Sequence, residues 1–240
     1  MSHFKINYFQ YSSNSILISW PDSIDKYTLK DVLLFKYSIE KRIKPLVEVI
    51  SAYCSLLVIY DFTIDNIYSC ISALKVCYNK KNNFLLKKNY VWKIPVCYED
   101  QFAIDINLIM NYSKLSKNEI INTHKNNDYL VYFMGFIPNF MYLGGLDKKI
   151  HFKRKSIPSQ KVPKGSVAIG GSQTGIYPLD SPGGWNVIGN SPIKLAGIDN
   201  WRIPISPGDY IRFFSIDSKE HKKILNSNID YCIEREVIDD

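Results

Sequence analysis

The sequence predicts an α+β protein in two parts, a small ββαββα domain over residues 1–88 and a β-barrel or β-sandwich over residues 89–240. Three observations carry that prediction. The first part alternates strand-like pairs with stretches of helical period. From Asp128 onward nearly everything is a short apolar run between turn residues. Ten of the 12 glycines fall between Gly135 and Gly189, and none precedes Gly135. Glycine supplies positive φ and close backbone approach while proline fixes φ, so a stretch rich in both specifies tight turns between short strands. The segment from Gly135 to Pro192 therefore reads as the working surface.

Taken in order, His3–Phe9 and Ser15–Trp20 read as strands around a polar turn, Tyr11-Ser12-Ser13-Asn14. Asp22 or Ser23 caps a helix in which Ile24, Leu29, Val32, Leu33, Phe35, Ile39 and Ile43 recur at helical spacing, and Pro45 follows its end. Leu46–Tyr53 and Leu56–Tyr60 form a second strand pair. Asp65 then opens a helix whose apolar face is Ile67, Ile71, Leu74 and Tyr78. The polar stretch Asn79–Asn83 and the following Lys87-Lys88-Asn89 set the domain boundary.

Tyr90–Tyr98 is a strand, with Pro95 restricting its pairing on one side. Ile104–Tyr112 and Ser116–His124 are helical, the second opening on Ser116 and Glu119 at capping-box spacing. Short strands then continue to Tyr210–Ile216 and Asp230–Val237. Tyr129–Leu146 is apolar enough to suggest a membrane helix, but Gly135, Pro138, Asn139, Gly144 and Gly145 interrupt it. Two buried strands with a turn between them fit better, and no membrane association is expected.

At 240 residues and 46% hydrophobic content, the chain can bury a substantial core. The net charge of +7 comes from scattered short runs such as Lys80-Lys81 and Lys153-Arg154-Lys155. These read as solvated loops, and no nucleic-acid module accompanies them, so nucleic acid is not an expected partner. Five cysteines, an odd number without a C-x-x-C pair, indicate neither a disulfide framework nor a zinc site. A reduced, cytoplasmic setting is expected, and the N-terminal residues carry no apolar core of signal-peptide type.

Neither G-x-x-x-x-G-K-[ST] nor G-x-G-x-x-G occurs, so no nucleotide cofactor is expected on this chain alone. The four histidines show no metal-ligand spacing, and no G-x-S-x-G marks a serine nucleophile. Candidate residues cluster in or near the glycine-rich segment. Arg154 suits clamping a carboxylate, or it belongs to a solvated basic turn. Gln173 and Tyr177 could orient a ligand, or cap turns. Trp185, after Pro182-Gly183-Gly184, could line a groove or anchor a partner, or pack into a core. His124, at a helix end, could act as acid, base or donor, or simply sit well beside the helix C-terminus. Gly135, Gly144, Gly165, Gly171, Gly175, Gly183 and Gly184 form the backbone scaffold of this region.

From Ile94 onward the runs IPVCY, THKNNDYLVYFMGFIPNFMYLGGL and IPSQKVPKGSVAIGGSQTGIYPLDSPGGWNVIGNSP occur in one order. In that order they resemble the family that holds the 5-oxoprolinase B subunit, the Kip-type inhibitor of a sporulation histidine kinase, and allophanate hydrolase subunit 1. The resemblance implies a cyclophilin-like β-barrel behind the small N-terminal domain. It implies a subunit that works with a related second subunit and a lactam-handling third subunit to open 5-oxoproline, a small-molecule substrate, to glutamate. ATP is then used by the assembled complex, and the chain is expected to be inactive alone. Inhibition of a sensor histidine kinase and a role in urea or allophanate metabolism are the other activities the family implies.

Residue by residue, Phe136, Pro138, Phe140, Tyr142, Leu143 and Gly144 match the family's GF-x-P-G-F-x-YLGG run, with Asn139 in place of a glycine. Asn tolerates a left-handed backbone better than most residues, so the turn is expected to persist. His124 matches a histidine ahead of that run. Arg154 matches an arginine that follows proline in the family, although Lys153 precedes it here. Ser159 stands where a second arginine is usual, and Asn190 and Ser191 replace an arginine and a threonine. The scaffold is thus expected to match the family more closely than the polar contacts mounted on it.

Overall fold

Alternation of apolar residues along the first strands and helical spacing between them place one apolar face on each element, and those faces meet. The computed structural model describes residues 4–81, 88–195, 204–227 and 233–238. The chain divides into two units, Met1–Lys87 and Lys88–Asp240. In the first, β1 (Asn7–Ser12), β2 (Ser15–Ser19), α1 (Lys26–Arg42), β3 (Leu46–Ser51), β4 (Ser55–Tyr60) and α2 (Ile67–Asn79) give the ββαββα order. The sheet is antiparallel in the order β1-β2-β4-β3. Ile16, Ile18, Leu56 and Val58 pack in one core with Val32, Phe35, Ile39 and Leu74 of the helices.

Several boundaries differ from the sequence reading. The first strand begins at Asn7, and its pairing continues to Ser12↔Ser15, so the turn is tighter than the four residues expected. His3 lies outside the described residues. Asp25 caps α1, accepting from the backbone N–H groups of Tyr27 and Thr28, so Asp22 and Ser23 do not and Ile24 stays exposed outside the helix. Asn66 rather than Asp65 caps α2, through the N–H of Ser69. In both cases the acceptor adjoining the first turn reaches the unpaired N–H groups, which a residue further upstream cannot. The Lys80-Lys81 run is not a solvated loop throughout, since Lys81 is buried and ion-paired with Asp31 at 3.1 Å.

In the second unit, β5 (Tyr90–Cys97) leads to α3 (Ile106–Ser113) and α4 (Lys117–Lys125), the latter opened by the Ser116–Glu119 capping box. The short strands follow as β6 (Asp128–Met134), β7 (Met141–Gly144), β8 (Ser159–Val162), β9 (Ser166–Gly170), β10 (Gln173–Ile176), β11 (Ser181–Gly183), β12 (Asn186–Asn190) and β13 (Tyr210–Ile216). Then come α5 (Ser218–Asn226) and β14 (Arg235–Val237). The order β12-β9-β10-β7-β6-β13-β5 closes on itself where Asn190 pairs with Cys97. The result is a seven-stranded barrel, not a sandwich, and closure leaves no open edge along the ring.

Pro95 lies between the two partners on the second side of β5, β14 at Tyr90–Trp92 and β12 at Cys97, where no ladder bond is demanded of it. Tyr129–Leu146 is β6, a loop and β7. Among the described residues no helix is long and apolar enough to cross a membrane. The α5 helix has no counterpart in the sequence reading. Of its nine residues only His221 is buried, so its sequence carries almost no apolar period to read. Of the expected strand Asp230–Val237, residues 230–232 lie outside the described residues, and Arg235–Val237 forms a strand.

Inward residues, including Ile94, Val131, Leu143, Val167, Ile169, Ile176, Ile188 and Phe213, fill the barrel. A period of two sends their neighbours Ala168 and Val187 outward. There they join Phe140, Val162, Tyr177 and Trp185 in a second, separate cluster on the outside of the wall. This cluster positions most of the candidate residues.

Candidate functional site

The candidates divide between the two sides of the barrel wall. His124, near the end of α4, is fully enclosed, with its ring stacked on Phe213 at 4.8 Å between centroids. Its Nε2 lies 2.9 Å from Thr174 Oγ1 and its Nδ1 2.9 Å from the Tyr98 hydroxyl. Thr174 spends its single hydroxyl hydrogen on the carbonyl of Ala168, at 3.1 Å, and so accepts from the histidine. The neutral ring therefore carries its proton on Nε2, and Nδ1 accepts from Tyr98. Burial pushes the pKa of His124 down to about 3. The arrangement ties α4 to the inside of the barrel and leaves neither nitrogen facing outward.

The other candidates gather on the outer wall. Phe140 touches Tyr142, Tyr177 and Trp185 edge-on, with centroids 4.9, 5.1 and 5.4 Å away, and Phe136 at 5.8 Å. Tyr142 meets Trp185 at 5.8 Å and stacks on Phe133 at 4.4 Å. Tyr177 and Trp185 are buried and form a floor, Tyr142 is half-buried, and Phe136, Pro138 and Arg154 are exposed. Gln173 is half-buried at the start of β10. Arg154 stands over the Trp185 indole, its guanidinium carbon 5.8 Å from the ring centroid. Burial raises the pKa of the Tyr142 and Tyr177 phenols, and the charge of Arg154 pulls both back.

Backbone geometry explains the glycines. Gly165 has φ of +79°, a left-handed conformation that costs other residues energy, and its N–H reaches the carbonyl of Tyr177. At Gly170 the requirement is space, because a Cβ there would lie 2.5 Å from the Trp185 indole. Gly175 and Gly183 likewise face Phe140 and Tyr177 directly, while Gly135 and Gly144 face the rings of Phe133 and Tyr132. Gly171 pairs with Phe152 across an isolated bridge, and Gly184 accepts from the N–H of Lys155. Asn139 adopts φ of +65°, so the left-handed turn persists without the glycine. Phe136 also has positive φ, +69°, which is strained for an aromatic residue and holds its ring out at the tip of the β6–β7 loop.

Gly170→Ala is expected to destabilise the barrel by about 1–3 kcal/mol, because the indole cannot move without disturbing Phe140 and Tyr142. Gly184→Ala is the control, since a Cβ there meets nothing closer than 3.7 Å. Urea unfolding of both variants checks this. A Gly170→Ala midpoint equal to that of Gly184→Ala would contradict the packing account.

Asp105, Lys155 and Asn186 also bear on the site, and nothing in the sequence singles them out. Asp105 Oδ2 accepts from Lys155 Nζ and from the N–H of Val187, each at 2.8 Å. Asn186, buried, donates from Nδ2 to the carbonyl of Lys153 at 3.0 Å. The partners lie tens of residues apart, and no local pattern announces them. Among the described residues no group of His, Cys, Asp or Glu is placed to hold a metal ion.

The family described as the carboxyltransferase domain, subdomains C and D, matches residues 6–202. The 5-oxoprolinase B subunit of Bacillus subtilis (strain 168) is 42% identical over 130 residues, covering 54% of this chain and 54% of that protein. The chain thus matches about half the length of that relative. The 5-oxoprolinase B subunit of Haemophilus influenzae is 31% identical over 205 residues, covering 84% of this chain and 94% of that protein. The crystal structure of Kluyveromyces lactis urea carboxylase superposes with a TM-score of 0.77 over 98% of this chain and 24% of its own, at 18% identity, a likeness of fold alone. Matched over most of its length, the chain belongs to the carboxyltransferase subdomain C and D family, among proteins named as the B subunit of 5-oxoprolinase.

Proposed function

We propose that this chain is a subunit of an ATP-dependent 5-oxoprolinase, which adds water across the lactam C–N bond of 5-oxoproline to give glutamate as ATP is hydrolysed to ADP and phosphate. The observation that carries the reading is the H. influenzae relative named as a 5-oxoprolinase B subunit, matched over 94% of its length. The chain works with a related second subunit and a third, lactam-handling subunit, in the cytoplasm, and has no activity alone. ATP is bound by the assembled complex. The groove for substrate or partner is the outer wall at Phe136, Pro138, Tyr142, Arg154 and Gln173, above the floor of Tyr177 and Trp185. His124 is assigned to packing, because its nitrogens are both engaged and its ring is held neutral well below physiological pH.

Reconstitution tests this directly. ATP-dependent glutamate formation by the three subunits should disappear when this chain is left out, and an undiminished rate without it would overturn the proposal.

A further inference from the structure

Arg154 is one of the basic residues of the barrel without an ion pair, and it stands on the glycine-scaffolded wall. Lys155 is paired with Asp105, Lys161 with Asp180, and Arg212 with Asp128 through two 2.6 Å contacts. Arg154, exposed among the described residues, has neither an ion pair nor a hydrogen bond to its guanidinium, only the indole beneath it. Its backbone is nonetheless held from both sides. The carbonyl of Lys153 accepts from Asn186, the N–H of Lys155 donates to Gly184 at 2.7 Å, and the Lys155 ammonium is fixed by Asp105 and by Ser159 Oγ at 3.1 Å. Two residues before Arg154, Phe152 bridges to Gly171 through two backbone hydrogen bonds of 3.1 and 2.8 Å. An arginine with a free fork on an anchored backbone, lying over a ring that is itself packed in place, is preorganised for an anion.

The surroundings define that anion. The guanidinium fork matches a planar carboxylate, and the adjoining surface is aromatic, with the half-buried Tyr142 ring meeting the same indole edge-on and the exposed Phe136 beyond it. Such a seat suits a small acid that carries a flat apolar or amide ring next to its carboxylate. We infer that Arg154, over Trp185, binds the carboxylate of a small lactam acid, and that Asp105 and Asn186 are positioning residues that hold Arg154 at that place. The choice of a lactam acid rests on the function proposed above, whereas the carboxylate seat rests on the geometry of Arg154.

Equilibrium dialysis of the full chain against labelled 5-oxoproline, and against 2-pyrrolidinone, the same ring without the carboxylate, tests the assignment. The wild-type chain should prefer 5-oxoproline. Arg154→Gln should weaken 5-oxoproline by about 10- to 100-fold, the loss of a charge-assisted pair, and leave 2-pyrrolidinone unchanged. Arg154→Lys should retain part of the preference. Asp105→Asn and Asn186→Ala should lower the ratio of the two affinities, which a general loss of stability would not do. Failure of the wild-type chain to bind 5-oxoproline, or equal binding by Arg154→Gln, overturns the seat. So does an Arg154→Gln chain that binds 5-oxoproline normally but no longer assembles with its partner subunits, which would make the arginine a subunit contact. Binding without turnover in the reconstituted complex would sink the proposed function and leave the seat standing. Turnover with a KM unaffected by Arg154→Gln would do the reverse.

Discussion

Asp31→Ala is expected to destabilise the N-terminal unit by about 3–5 kcal/mol, a large share of the stability of a domain this size. The Asp31 carboxylate accepts from Trp20 Nε1 and from the Tyr78 hydroxyl, both at 2.9 Å, and pairs with Lys81 Nζ at 3.1 Å. All three donors are buried, and the Lys81 ammonium also lies 3.5 Å from the Tyr78 ring centroid. Removing the carboxylate leaves an indole N–H, a phenol and a full positive charge in the core without their common acceptor. The cation–π contact recovers only part of that loss. Hydrogen exchange of the β2 and β4 amides reads the unit by itself, and protection equal to wild type would contradict the account. Asp31→Leu combined with Lys81→Met should recover only part of the lost stability, because it removes both charges together but leaves the Trp20 indole N–H and the Tyr78 hydroxyl without their acceptor.

Acidification below pH 6.5 is expected to weaken folding through His124. In the fold this ring stays neutral down to about pH 3, while in the unfolded chain it takes up a proton near pH 6.5. Below pH 6.5 the unfolded state therefore binds the extra proton, and stability falls as pH drops from 6.5 towards 3. Above pH 6.5 the contribution is constant. The loss is about 2 kcal/mol at pH 5 and about 4–5 kcal/mol by pH 3, since each pH unit in the window costs about 1.4 kcal/mol. His221, whose pKa burial also lowers, acts in the same direction. The measurement is the stability of wild type minus that of His124→Gln across pH 4 to 7. A difference that does not vary with pH would overturn the assignment. Should the variant fail to fold, the His124 ring signal in wild-type NMR spectra should still not titrate between pH 7 and 5.

These two sites show how far the sequence can be read. Glu119 is recognisable as the partner of Ser116 because a capping box lies within three residues and has a fixed geometry. Lys81 reads as solvated because its partner, Asp31, belongs to another part of the chain, and nothing beside either residue reveals the pairing. The exposed face of α5 hides that helix for a related reason, since almost none of its residues is buried and periodicity is a record of burial. The left-handed turn at Asn139 follows from residue type, whereas the strained Phe136 beside it does not, because only the closing of the β6–β7 loop puts a bulky residue there.

By itself the sequence determined the ββαββα order, the strand-and-turn character of the second unit and the glycine-scaffolded surface, because these depend on local periods and on backbone freedom. Local periods left barrel and sandwich open and the family resemblance implied the barrel, but only the tertiary structure decided where it closes, since closure depends on Asn190 meeting Cys97, 93 residues away in the chain. It also decided which candidates face which side of the wall. His124 is drawn inside and fixed between Tyr98 and Thr174, while Arg154 is set outside over Trp185. Both residues resemble functional groups in the sequence. What separates them is the low dielectric around one and the open, anchored position of the other, and those are properties of packing.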